Sequence, residues 1–86
     1  MSHAVFLQPR AIKALSKLPR DLQERIKRTV VALGAAPRPR DAKKLQGERD
    51  TWRVRVGEYR VVYVPDDDAL TVVVTIIAHR RDVYRR

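Results

Sequence analysis

Cysteine is absent from this chain, which excludes disulfides and thiolate metal sites. Glycine is scarce. Gly34, Gly47 and Gly57 stand too far apart to build a phosphate-cradling loop or a dinucleotide fingerprint. No serine is set in a motif that would pair it with a base. Acid is short too, with ten Asp and Glu against nineteen Lys and Arg. Three of those acids are adjacent, at Asp66, Asp67 and Asp68. Neighbouring turn carboxylates diverge and none stands at coordinating spacing with them, so the run reads as a polar turn. No metal and no cofactor are expected. The longest apolar run, Val72 to Ala78, is interrupted by Thr75 and is far too short to span a bilayer. The N-terminus lacks the basic start and apolar stretch of a signal peptide, so the expected compartment is the cytoplasm, with no membrane partner.

What is present is positive charge on a small foldable chain. Eighty-six residues fit one domain, expected to run over 1–86, and 44% apolar content is enough for a core. The formal charge is +9, and fourteen of the nineteen cationic residues are arginine. Arginine presents a planar fork that matches phosphate, so the bias points to nucleic acid or another acidic partner.

Periodicity orders the elements. Ala4 to Leu7 reads as a strand. Pro9 suits a helix start, and Ile12, Leu15 and Leu18 follow at helical spacing. Pro19 ends that helix and starts another, whose stripe is Leu22, Ile26, Val30 and Leu33, with Gly34 as its stop. Ala35 to Asp50 reads as a connecting loop. From Thr51 the period falls to 2. Trp52, Val54 and Val56 alternate with Arg53 and Arg55, then Gly57 and Glu58 form a two-residue hairpin turn. Tyr59 to Val64 returns, Pro65 to Asp68 turns again, and Leu70 to Ile77 is apolar on both faces and therefore central. The fold class expected is α+β: two N-terminal helices on one face of a small, mostly antiparallel, four-stranded sheet, in the order β-α-α-β-β-β.

The chemistry gathers in the second half. Hairpin geometry brings Arg53 and Arg55 near Arg60, and the last strand delivers His79, Arg80 and Arg81 to a sheet end. Such a cluster binds phosphate through charge-assisted bonds and stabilises charge that develops on phosphorus. Strand arginines are also common on a plainly solvated face. His79 carries an imidazole able to give or take a proton and is a candidate acid or base, or a hydrogen-bonded structural residue. Tyr84 is placed to stack on a base, donate to a phosphate, or cap the sheet. The tail with Arg85 and Arg86 suits an exposed nucleic-acid contact. Trp52, Tyr59 and Tyr63 read as core, and His3 as inert.

The segments PRAIKALSKLPRDLQERI, KKLQG, WRVRVGEYRVVY and AHRRDVYRR, in this order and spacing, resemble the RelE-type toxins of the RelE/ParE toxin–antitoxin superfamily over nearly the whole chain. The resemblance implies a type II toxin that cuts mRNA in the ribosomal A site without metal, by 2′-hydroxyl attack, leaving a 2′,3′-cyclic phosphate. It implies an acidic antitoxin as partner, with DNA reached only through that antitoxin. Carried over residue by residue, it marks Arg60, Arg80 and Tyr84 as catalytic. Arg53, Arg55, Arg81, Arg85, Lys43 and Lys44 become RNA-binding candidates. Where some relatives carry lysines, this chain has Arg53 and Arg55, which are poor bases. That leaves His79 as the local candidate base. The ParE branch shares the fold and poisons DNA gyrase, so a gyrase inhibitor and a non-catalytic antitoxin-binding member are the alternatives.

Overall fold

The computed structural model describes residues 2–47 and 49–82. Within them the chain forms β1 (Ala4–Leu7), α1 (Pro9–Ser16), α2 (Arg20–Ala35), β2 (Lys43–Leu45), β3 (Thr51–Val56), β4 (Tyr59–Asp66) and β5 (Thr71–His79). The five described strands make one sheet in the order β1-β5-β4-β3-β2. β1 runs parallel to β5, and every other pairing is antiparallel. The α+β class and the element order match the expectation, but the sheet has a fifth strand. β2 lies within the stretch expected to be loop. It is three residues long and is held by pairing Lys43 with Arg53, Lys44 with Trp52 and Leu45 with Thr51.

The core lies between the helices and one sheet face. Ala11 and Leu15 of α1 and Ile26, Val30 and Leu33 of α2 pack on Val54, Val56, Val61, Tyr63, Val72, Val74 and Ile77. The α2 stripe is the expected one. In α1 the buried side is instead Ala11, Ala14 and Leu15, continued by Leu18 just past the helix end, and Ile12 points to solvent at 54% exposure. An i, i+3, i+4, i+7 stripe through Ala11 excludes its neighbour Ile12. Pro9 opens α1 as expected. Gln23 then donates from Nε2 to the carbonyls of Ser16 and Leu18, satisfying acceptors at the end of α1.

Gly34 does not stop α2, which continues to Ala35. A Cβ there would stand 2.8 Å from the His3 carbonyl oxygen, so the position needs glycine for close approach of β1. Gly57 does open the hairpin turn with φ +59, and Val56 pairs with Tyr59 across it. Leu70 belongs to a turn with φ +56, so β5 starts one residue later than expected.

β5 also carries a bulge. Val62 pairs with Ile76 and Tyr63 with Val74, which leaves Thr75 as an extra residue. The bulge reverses parity along β5, so Val74 and Ile77 both face the core. Arg10 donates from Nε to the Thr75 carbonyl at 2.8 Å, tying α1 to the bulge. None of the described helices is long and apolar enough to cross a membrane.

Candidate functional site

Paired residues in an antiparallel ladder share a face. Lys43 pairs with Arg53, and Arg55 with Arg60. Since Trp52, Val54 and Val56 pack towards the helices, these four cations all lie on the other, open face. Cations directly opposite cations concentrate positive potential on this face. Arg60 sharpens this. It is 9% exposed and is the buried charged residue among the described side chains. A guanidinium held so far out of water meets an anion with little reorganisation.

Arg80 follows β5 at the same end of the sheet. Its backbone N–H donates to the Glu58 carbonyl at 2.7 Å, and its Nε to Glu58 Oε1 at 2.8 Å. Both side chains are more than half exposed, so this pair yields readily to a stronger anion. Arg55 and Arg60 flank the hairpin turn that carries Glu58, which gathers Arg55, Arg60 and Arg80 around one turn.

Not all the candidate residues join them. His79 pairs with Tyr59, while its neighbour Ala78 pairs with Arg60. The imidazole therefore lies on the helix side, edge-on to Tyr59 with ring centroids 5.5 Å apart. Its Nδ1 accepts the backbone N–H of Arg81 at 3.2 Å. The expectation of a base beside the arginines is corrected: the sheet separates this ring from Arg60. Lys44, opposite Trp52, also faces the helix side and stands 3.7 Å from Asp50. Arg81 is exposed. Tyr84, Arg85 and Arg86 lie outside the described residues.

The family described as the ParE toxin of type II toxin–antitoxin systems, parDE, matches residues 5–84. The chain belongs to the RelE/ParE toxin family. It is 31% identical over 88 residues to a relative from Methanocaldococcus jannaschii that carries the toxin name RelE1, covering 99% of this chain and 98% of that one. Among solved structures it resembles the crystal structure of the archaeal RelE–RelB complex from Pyrococcus horikoshii. The TM-score is 0.85 at 28% identity, over 96% of this chain and all of that one. It also resembles the toxin–antitoxin complex RelBE2 of Mycobacterium tuberculosis, with a TM-score of 0.81 at 30% identity, over 93% of this chain and all of that one.

The toxin has a second polar cluster that the sequence reading missed. Arg38, in the connection after α2, bonds Asp50 at 2.5 Å and Asp67 at 3.2 Å, and stands 5.7 Å from the Trp52 ring centroid. Trp52 donates from Nε1 to Asp50 at 2.7 Å. His3, expected to be inert, bonds Asp67 at 3.0 Å and donates its backbone N–H to Gly34. The Arg38 hydrogen bond holds the Asp50 carboxyl below its usual range, and those from His3 and then Arg38 do the same for Asp67. The acidic turn thus anchors the N-terminus and the α2–β2 connection. Asp66 closes that turn by accepting the N–H groups of Asp68 and Ala69. The only sequence signal for this cluster was the surplus of acid at one turn.

Proposed function

We propose that this toxin is a metal-independent endoribonuclease that cuts mRNA on the ribosome and so arrests translation. The observation that supports the reading is the buried guanidinium of Arg60, set in an open-face cationic row and adjoined by Arg80. In the proposed reaction the 2′-oxygen bonds to phosphorus and the P–O5′ bond breaks. The products are a 2′,3′-cyclic phosphate and a 5′-hydroxyl, and the proton lost by the 2′-hydroxyl is made up at the leaving oxygen. Arg60 and Arg80 meet the charge that develops on the phosphoryl oxygens, while Lys43, Arg53 and Arg55 hold flanking phosphates. Tyr84 orients a nucleotide, and Arg81, Arg85 and Lys44 add outer electrostatic attraction. With His79 on the other face, charge and positioning carry the rate.

The partner is an acidic antitoxin, in keeping with the RelB-bound state of the Pyrococcus horikoshii and other RelE relatives. The family description also names the ParE branch, which supports gyrase inhibition as the second reading. Primer extension on cellular mRNA after brief induction decides between them. New 5′ ends within coding sequence, lost in Arg80→Ala, are expected. Intact mRNA with inhibited DNA supercoiling would replace the nuclease reading with the gyrase one.

A further inference from the structure

The open face changes character along its length. Beyond the rows of Arg55 and Arg60, and of Lys43 and Arg53, the charged row gives way to the aliphatic side chains of Val62, Val64 and Ile76, set between Thr51 and Thr75. Val62 is buried yet stands outside the core cluster, because it lies on this side of the sheet. A groove of about 500 Å³ runs here. One wall is Gln8 and Arg10, at the junction of β1 and α1. The other is Gln46 and Arg49, in the connection between β2 and β3. The Arg10–Thr75 bond fixes the first wall and uses one of five guanidinium N–H groups.

We propose that this groove is a nucleobase subsite for the RNA strand held by the arginine row. The inference rests on the nuclease reading and deepens it. Three features of the groove fit a base. Its floor is aliphatic, which suits the flat face of a heterocycle. Its walls carry two amides and two guanidiniums, which match base edges by hydrogen bonding and base faces by stacking. Three strand spacings separate β1 from β3, about 14 Å, enough for a base to lie flat.

Continuity identifies the occupant. Arg53 pairs with Val62, so the phosphate row and the apolar floor share a rung of the ladder. Residues two apart on a strand are about 6.6–7 Å apart, comparable to one step of an extended nucleotide chain. With a phosphate at Arg60, the neighbouring nucleotide lies over Val62 and the next approaches Val64. The volume falls within the range of small-ligand sites, about 300–1,000 Å³. Gln8 and Gln46 are therefore specificity residues: an amide presents donor and acceptor together, and so discriminates between base edges.

The test uses the full chain and a fluorescent 2′-O-methyl RNA pentanucleotide, which cannot be cleaved. Its control has the same backbone with abasic central positions. The methyl resonances of Val62, Val64 and Ile76 are expected to shift with the base-containing strand and not with the abasic one, which binds about tenfold more weakly. Val64→Tyr, which fills the groove, should reduce base-containing binding to the abasic level and leave abasic binding unchanged. Gln46→Ala, on an exposed connection, should change the preferred base without loss of fold. Equal binding of both strands, with shifts confined to the arginines, overturns the subsite and leaves the nuclease reading standing. Shifts of these methyls by an acidic amphipathic peptide and not by RNA overturn it in favour of a peptide site. Intact cellular mRNA after induction overturns the parent reading separately.

Discussion

Arg60 is the residue on which the proposed chemistry turns, because strand pairing places it beside Arg55 while its surroundings exclude water. Arg60→Ala is expected to lower single-turnover cleavage by programmed ribosomes about 10²–10³-fold. Arg60→Lys should not restore it, since a point charge lacks the two-pronged fit to phosphate. A Lys variant at full rate would show that charge alone suffices. His79 calls for the opposite outcome. His79→Gln should leave the cleavage rate and its pH profile unchanged in folded protein. It should cost about 0.5–1.5 kcal/mol of stability through the lost edge contact with Tyr59. Loss of an acidic limb in that profile would return the ring to the reaction. Tyr63 is structural. It is fully buried, donates to the Pro37 carbonyl at 2.7 Å, and burial pushes its phenol up to about 12. The native state keeps this proton after the unfolded chain begins to lose it near pH 10, so stability is present below about pH 10 and falls as pH rises towards about 12. Tyr63→Phe should remove that alkaline limb. At neutral pH it should cost about 1–3 kcal/mol, because the carbonyl loses its donor. Urea unfolding across pH reads both effects.

At the scale of elements, what was legible followed from strong periodicity. The α2 stripe, the alternation of β3 and the Gly57 turn each had a clear pattern, and each formed where expected. The arginine face was legible for the same reason, because period 2 and a tight turn fix which side chains share a face. β2 was not, since Lys43, Lys44 and Leu45 carry no strand signal and depend on the ladder offered by β3. The Thr75 bulge was hidden for a related reason: in a strand apolar on both faces, a change of parity leaves no mark. His79 was misplaced because adjacency to Arg80 in sequence means opposition across a sheet. Gly34 tests the contact between α2 and β1. Gly34→Ala should destabilise by about 1–3 kcal/mol, as overpacking against the His3 backbone forces β1 away. Thermal unfolding checks this, and an unchanged midpoint would show that β1 shifts freely.

The whole molecule carries a formal charge of +9 on a body of 12.0 Å radius of gyration. Opposite charge accelerates encounter, so association with the proposed acidic antitoxin should be fast in low salt and slow markedly towards physiological ionic strength. Dissociation should change less, because it reports short-range contacts. Stopped-flow mixing with the antitoxin measures both, and an association rate indifferent to salt would argue for an apolar docking surface.

The strand order also sets when a newly made copy becomes harmful. β5 is the last described strand in the chain, yet it lies between β1 and β4 and supplies Val72, Val74 and Ile77 to the core. Until it emerges, β1, made first, has no strand to join, and the helices have half a floor. Pairing β1 with β5 closes a loop that runs from Ala4 to Thr71, which slows folding. A nascent chain that has not yet reached β5 therefore lacks both the partner strand of β1 and half of the floor under the helices. Chains cut short before Thr71 should be unable to complete the sheet, and so should be inert.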